Sequence, residues 1–388
     1  MSCGEQEAIV QMPRAYTTMA QQAGAVALTE DVANALAANA VVAVGVSGGK
    51  DSQACALAVH RYLEQVGHAG PRVLVHADLG VVEWKDSLPA CQRLAEHLGW
   101  ELVVVRRAAG DLLARWQGRW SNNVDRYRTL SCVRLILPWS TPALRFCTSE
   151  LKHSVVTSAL RKRYRGQHIV NVTGIRREES ATRRRMPVSA PDRRLERKGL
   201  VGLTWNAIIE WSLGQVFASI SDSGLALHEA YTRYGTSRVS CCYCIMSSGA
   251  DLSAATKCAD NHEVYVKMVE LEATSSFAFQ GNRWLADVAP HLLSDELRQR
   301  VVLAKEAGAA REAIEAELPK HLLYSAGWPT VMPTWQEAEL IASVRRRVAA
   351  LLSLDVEHTT PDTVTERYAE LIRARDAKAA LRGDVVLA

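Results

Sequence analysis

The sequence predicts an α/β protein built on a parallel β-sheet with helices on both faces. Three observations predict it. Short apolar runs such as VVAVGV (41–46) and VLVHA (73–77) alternate along the chain with segments of helical period. Runs of this kind are strands buried on both faces, and helical crossovers between parallel strands bury them so. The 388 residues, 48% hydrophobic and 23% charged, are also enough for a large core and a second, smaller unit.

Taken in order, the first 30 residues are weakly patterned, and Thr29-Glu30-Asp31 caps a short Ala-rich helix running to Ala38. Residues 41–46 read as a strand, 52–66 as a helix and 73–77 as a strand. Residues 85–98 read as a helix with Leu88, Cys91, Leu94, Ala95 and Leu98 on one face, and 101–106 as a strand. Residues 107–146, rich in Trp, Arg and Asn and without a clear period, read as an insertion near the strand ends. A helix over 148–164 and a strand over 168–174 follow. From about 200 the character changes: TWNAIIEWSLGQVFASI reads as helical, with Ser212 capping a second helix, and the remainder is mostly helical. The expected organisation is an N-terminal extension (1–40), an α/β domain (41–200), a helical segment carrying a Cys cluster (201–285) and a helical C-terminal extension (286–388). The apolar spacing of AELIASVRRRVAALL in that extension suits packing or a homodimer contact.

MSCGEQEAIV lacks a basic region followed by an apolar one, and the longest uncharged run (32–49) ends in Ser-Gly-Gly, so neither a signal peptide nor a membrane span is expected. Nine Cys without such a signal point to a reducing, cytoplasmic setting, where clustered Cys more often serve metal or redox chemistry than disulfides.

The strongest local signal is Ser47-Gly48-Gly49-Lys50-Asp51-Ser52, between the strand 41–46 and the helix that follows. A Gly-Gly turn lets backbone N–H groups converge on an anion, and the helix adds its positive end. Lys50 adds a full charge, and Ser47 and Ser52 add hydroxyls. The loop is not a Walker A loop, which needs Gly where Val44 stands and Ser or Thr where Asp51 stands.

This stretch resembles the PP-loop of the ATP pyrophosphatase superfamily, and the chain over roughly 40–265 is similar to its phosphoadenosine phosphosulfate (PAPS) reductase branch. VLVHADLGVVEWKDSLPACQRLAEHLG, FCTSELKHSVV, VTGIRREESATR and WSLGQVFASISDSGLALHEAYTRYGTSRVSCCYCI carry the resemblance. The last stretch looks closest to PAPS-reductase-like proteins of phages and mobile elements and to sulfur-transfer proteins of DNA phosphorothioation. The resemblance implies that Ser47, Gly48, Gly49, Lys50, Asp51 and Ser52 hold the phosphates of an adenine nucleotide, ATP or PAPS or adenylyl sulfate, with Mg²⁺. It implies that Asp78 and Gly80 lie near the adenosine, and that Gly174, Arg176 and Arg177 close over the other side of the phosphates. Lys50, Asp51, Arg176 and Cys147 are the implied catalytic residues. Leu79 departs from the Thr often found there.

Residues 161–198 carry 13 Lys or Arg against 4 Asp or Glu, while the whole chain has a net charge of only +4. Such a concentration near a nucleotide site suggests a polyanionic ligand, a second anionic substrate or nucleic acid, unless it is a solvated surface run. Cys241 and Cys244 have the spacing of two ligands on one metal or cluster. Cys147 in the family's other Cys position makes a third, with Cys242 or Cys258 as the fourth. A 4Fe-4S cluster, zinc, a dithiol pair and plain buried Cys remain open. Cys55 and Cys91 fall on core-facing helix positions, and Cys3 and Cys132 carry no signal. The Glu-Cys-Gly segment of sulfate-assimilating reductases is not seen, and the last Cys is Cys258.

The expected function is thus an ATP-using enzyme that adenylylates a substrate, releases pyrophosphate and transfers sulfur from a donor protein, with nucleic acid as one acceptor. PAPS or adenylyl-sulfate reduction is the alternative, and a nucleotide-gated DNA-binding component of a phage or defence system is a further one.

Overall fold

The computed structural model describes residues 24–324 and 327–382; most of the 1–40 extension, with Cys3, lies outside the described residues. The elements are α1 (Glu30–Ala37), β1 (Val41–Val46), α2 (Lys50–Gln65), β2 (Arg72–Asp78), α3 (Ser87–Leu98), β3 (Glu101–Arg106), α4 (Leu112–Arg128), α5 (Phe146–Thr148), α6 (Ser154–Arg163) and β4 (Ile169–Val172). There follow α7 (Ala181–Arg184), β5 (Ser189–Pro191), β6 (Gly202–Trp205), α8 (Leu213–Ser223), α9 (Glu229–Thr232), α10 (Gly249–Ala255), α11 (His262–Ser275), α12 (Asp295–Ala316), α13 (Trp335–Leu352) and α14 (Pro361–Arg382). A single π-helical turn (Ser149–His153) joins α5 to α6.

These elements form two compact units that do not follow chain order. One comprises residues 1–111 and 145–261, the other 112–144 and 262–388.

The first unit holds a six-stranded sheet in the order β3-β2-β1-β4-β6-β5. All neighbours are parallel except β5, which pairs antiparallel with β6 at the edge. The expected α/β class with a mostly parallel sheet is what the chain forms. Val42, Val44 and Val46 of β1 pack with α1, α2, α3 and α8, whereas Val41 and Ala43 pack with Val73, Val75 and Leu160 of α6. β1 is therefore buried on both faces, which is why its sequence shows no alternation. Thr29 caps α1 by accepting the Val32 N–H, and Ser212 caps α8 in a reciprocal box with Gln215. The sheet corrects two expectations. Thr204 and Trp205 are strand, not helix: Trp205 is fully buried and pairs with Val172, and the helix begins only after Ser212. The edge strand β5 lies in the basic stretch, where three residues carry too little pattern to announce a strand.

The second unit is helical, with α12 packed on α11 and α13, and α13 on α14. The stretch 107–146 contributes α4, where the sequence suggested irregular structure. Its buried residues Leu112, Leu113, Trp116, Trp120, Asn123 and Tyr127 recur at helical spacing, but the Trp and Asn among them mask an aliphatic count. Trp116, Trp139 and Phe279 meet edge to face with ring centroids 5.1–6.3 Å apart. Glu272 is fully buried, and its carboxylate accepts N–H bonds from Phe279, Leu285 and Ala286 at 2.7–2.9 Å. Among the described residues no helix is long and apolar enough to cross a membrane.

Candidate functional site

The strand order fixes where a site can form. From β1 the chain moves one way to β2 and β3, then returns to place β4 on the other side of β1. Such a reversal opens a crevice at the carboxyl ends of the two strands flanking it, which are β1 and β4. Residues 47–52 follow β1 and residues 173–176 follow β4, so two distant stretches singled out from the sequence are brought together there.

Gly48 has φ +74°, and a Cβ on it would come within 3.0 Å of the Ser87 carbonyl and the His228 ring, so the turn takes glycine. The Ser52 hydroxyl donates to the Gly49 carbonyl at 2.8 Å and accepts the Ser47 N–H at 3.3 Å, closing the loop on itself. Gln53 is the first residue of α2 whose N–H reaches back to the loop, at Gly49 O. The Asp51 and Ser52 N–H groups belong to the first turn, which has no preceding carbonyls to bond, and they carry the positive end of a 16-residue helix. Gly174 lies against this turn: a Cβ there would be 2.6 Å from the Asp51 carbonyl oxygen and 3.0 Å from Ser52 Cα. Two residues on, Arg176 is 5% exposed; it donates from Nε to Asp51 at 2.6 Å and from a terminal nitrogen to Glu178 at 2.8 Å. Lys50, also 5% exposed, lies 3.3 Å from the other Asp51 oxygen and donates to the Ser237 carbonyl at 3.1 Å. Asp51 therefore sits between two buried cations and fixes both.

The stretch between α8 and the Cys cluster, singled out in the sequence for its family resemblance but with no role given to Tyr231 or Ser237, covers the loop. The Tyr231 hydroxyl accepts the N–H groups of Lys50 (3.2 Å) and Val239 (3.0 Å), and the Lys50 ammonium lies 5.1 Å from the Tyr231 ring centroid. Asp251 holds Ser237 in place through its N–H (2.7 Å) and its hydroxyl (2.9 Å). Burial works against that carboxylate's charge, but these hydrogen bonds prevail and keep its pKa below the usual value. Tyr231 and Asp251 lie about 180 and 200 residues beyond the loop, so no local pattern announces them.

His76, fully buried in β2, bonds through Nδ1 to the Val46 carbonyl at 3.1 Å and through Nε2 to Glu83 at 3.0 Å. Both neighbours accept, so both ring nitrogens carry protons. Burial opposes that charge, but Cys91 and Glu83 outweigh it and lift the pKa to about 10. His228, buried beside Gly48, accepts the Ala230 N–H and faces the Ser87 hydroxyl; burial lowers it to about 4, so it is neutral. Asp78 caps its own turn by accepting the Gly80 N–H at 2.7 Å and also holds Arg106. Leu79 between them is core.

Other expected residues are committed elsewhere. Arg177 donates to Glu210 at 2.8 Å and to the carbonyls of Arg184 and Met186 at 2.7 Å, so Arg176 alone of that pair joins the loop's charges. Glu178 accepts from the Arg176 guanidinium and Glu179 from the Arg176 backbone N–H, both at 2.8 Å.

The Cys segment is bonded to the turn that follows β2. Glu83 and Cys241 form a bridge, and the Cys242 N–H bonds to Val82 O at 2.9 Å. Cys241 lies near Cys244; burial of its thiol, then that neighbour, raises its pKa well above the usual value. Lys152, in the turn after Cys147, acts on the same thiol in the opposite sense. Cys242, expected among the metal ligands, is instead 3% exposed with its thiol donated to Val82 O at 3.0 Å. Cys258, the other expected fourth ligand, is buried and bonded with the Tyr234 hydroxyl. Among the described residues there is no group of three or more His, Cys, Asp or Glu arranged to hold a metal ion. A four-thiolate cluster does not fit this arrangement, because both candidate fourth ligands are turned into protein.

Residues 41–247 match the model of the phosphoadenosine phosphosulfate reductase domain. The chain belongs to that family. Among solved structures, a phosphoadenylyl-sulfate (PAPS) reductase from Candida auris, crystallised as a phosphate complex, is 12% identical to it, with a TM-score of 0.36 over 60% of this chain and 96% of that one. No curated protein sequence matches it. The family match spans the PP-loop, both sides of the crevice and the Cys segment, and ends at the start of the mostly helical remainder.

Proposed function

We propose that this PAPS reductase-family chain is an ATP-using enzyme that binds the nucleotide at the β1–β4 crevice, adenylylates an acceptor with release of pyrophosphate, and so prepares it to receive sulfur. The observation that carries this reading is the convergence of the first turn of α2, Lys50 and Arg176 on one point, with Asp51 bonded to both cations. Backbone N–H groups and a buried ammonium suit a triphosphate and its in-line displacement, where positioning and charge stabilisation do most of the work. Magnesium would arrive with the nucleotide. Asp51 and Arg176 hold Lys50 and the loop in place, Ser52 closes the loop through the Gly49 carbonyl, and Ser47 adds a hydroxyl donor. The acceptor's oxygen attacks the α-phosphorus and pyrophosphate leaves. Sulfur from a donor protein then displaces AMP from the acceptor.

Reductive attack on a sulfonucleotide, the alternative, needs a thiolate. Burial raises the thiols of Cys241 and Cys242, which disfavours that form.

The test compares wild type with Lys50→Ala in two assays: ATP binding by calorimetry and pyrophosphate release. Wild type binds ATP and releases pyrophosphate when acceptor is present, and Lys50→Ala loses affinity at least about tenfold, in line with losing a charge-assisted contact of about 1.5–3 kcal/mol. Sulfite formed from PAPS with a dithiol reductant, and no pyrophosphate from ATP, would replace adenylylation by reduction.

A further inference from the structure

On the face of the sheet covered by α6, two cavities meet. The first, about 470 Å³, is lined by Arg107, Arg194 and the serines Ser149, Ser154 and Ser158; Glu150 also lines it. The second, about 380 Å³, begins at the same Ser158 and is lined by Arg161, Lys162, Arg165 and Arg197. Together they form one groove along the length of α6, facing the segment 192–197. Its charges differ from those around it in lacking carboxylate partners. Elsewhere in the basic stretch Arg163 is bound to Glu101, Arg176 to Asp51, Arg177 to Glu210 and Arg183 to Glu179. Among the described residues none of the six groove cations forms a side-chain ion pair with a carboxylate: Arg107 and Arg197 bond to backbone carbonyls, and Arg194 bonds through its guanidinium to His153 and through its backbone N–H to Asp192. The basic run seen in the sequence thus contains four arginines paired with carboxylates and five cations that line the groove, with Arg184, Arg185, Arg193 and Lys198 in neither set.

We propose that this groove binds the sugar–phosphate backbone of a nucleic acid. Five of the six cations are Arg, whose planar fork matches phosphate, and three serine hydroxyls supply the additional donors that backbone contacts use. The ten residues of α6 span about 15 Å. At about 3.4 Å per phosphate along one strand that is four to five phosphates, a density the six cations match. A membrane surface fits less well: the feature is concave, and Ile169 and Leu195 within it are buried rather than available to insert. The groove's upper end also bears on catalysis. Arg107 directly follows β3, at the same edge as the loop after β1 and two strands away, about 10 Å. A strand in the groove therefore brings one nucleotide to the edge where the PP-loop stands, which makes nucleic acid the acceptor. That last step rests on the adenylylation reading; binding in the groove does not.

The experiment is fluorescence anisotropy of the full chain with labelled 20-nucleotide single strands and duplexes from 50 to 200 mM salt, with ATP binding measured on the same preparations. The groove variant Arg161→Ser/Arg165→Ser/Arg197→Ser should lose at least about tenfold in affinity for whichever oligonucleotide binds. Its log–log salt slope should fall by about 2–3, from three phosphate contacts at 0.7–0.9 each. The corresponding Arg→Lys triple should retain most of the affinity, which separates charge from misfolding. Arg184→Ser/Arg185→Ser, basic residues outside the groove, should bind as wild type. Lys50→Ala should lose ATP and keep the oligonucleotide, so a failed nucleotide reading and a failed groove reading give different results. The proposal is overturned by no oligonucleotide binding at 50 mM salt, by an equal loss from the Arg184/Arg185 variant, or by binding of anionic vesicles in place of oligonucleotides.

Discussion

Gly174→Ala tests whether the end of β4 sets the position of the phosphate loop. The new methyl would be 2.6 Å from the Asp51 carbonyl oxygen and 2.9 Å from its carbon, where ordinary contact starts at 3.4 Å. Strand and helix must therefore separate by about 0.8 Å, and because the contacts are backbone no side chain can rotate aside to absorb this. Overpacking of this kind costs about 1–3 kcal/mol. In a unit of this size that lowers Tm by roughly 2–12 °C. The same shift displaces the Asp51 and Ser52 N–H groups, which on the proposed function bind the nucleotide phosphates. Weakening one charge-assisted bond of about 1.5–3 kcal/mol costs roughly tenfold or more in nucleotide affinity. Thermal unfolding and ATP calorimetry on the variant read both numbers. Gly118→Ala, where a methyl meets nothing within 4 Å in the middle of a helix, is the control and should be neutral or stabilising. A variant that loses stability but binds ATP as wild type would refute the coupling of strand to loop, and one unchanged in both would refute the packing argument itself.

Three further outcomes are expected. His76 is held protonated by the fold, so its contribution is complete below about pH 6.5 and lost as pH rises towards about 10; unfolding by denaturant between pH 7 and 10 should show a loss of order 3 kcal/mol that His76→Gln abolishes, and parallel curves for the two proteins would count against it. Burial lifts Glu272 to about 7 against its three N–H donors, so it favours the fold in its protonated form and stability falls as pH rises from about 4.5 to 7. Glu272→Ala strands three buried donors and should cost about 4 kcal/mol or more, Glu272→Gln about 2; equal losses in urea unfolding would contradict the role of its three hydrogen bonds. Cys242→Ala should leave any iron or zinc in anaerobically purified protein unchanged, since its thiol faces Val82 O; metal that disappears with Cys242 would show a different arrangement of the segment.

What the sequence disclosed follows from how local each signal is. The loop 47–52 was legible because turn, helix start and preceding strand all lie within about twenty residues, each with its own chemistry. β1 and β2 were legible because burial on both faces leaves an unbroken apolar run, and the edge strand β3, with Val104 exposed, because three consecutive valines favour a strand. Trp205 was misread because only seven residues separate a four-residue strand from a capped helix, and the combined stretch has helical spacing. The contact of Arg176 with Asp51 spans 125 residues, and family likeness pointed to Arg176 and Arg177 together; the neighbouring Glu210 and the carbonyls of Arg184 and Met186 take Arg177. Tyr231 and Ser237 lay in the stretch that carried the family likeness, but their contacts with Lys50 and Asp251 were not legible, because an aromatic hydroxyl and a backbone carbonyl carry no signature until the chain is folded. In the Cys segment spacing proposes ligands, and the fold decides which way each thiol points, as it does for Cys242.

The interleaving of the two units has a consequence for biosynthesis. A ribosome releases α4 before any of α11 to α14 exists, so the indole rings of Trp116 and Trp120 are made some 150 residues ahead of Phe277 and Phe279, which cover them. Until then α4 is an apolar strip waiting for its partners, and at ordinary elongation rates of about 5–20 residues per second the wait lasts roughly ten to thirty seconds. The sheet unit, complete by residue 261, has that interval to form around an unfinished excursion. Nascent chains stalled between 262 and 295 should therefore be the ones that chaperones capture and proteases cut within 112–144.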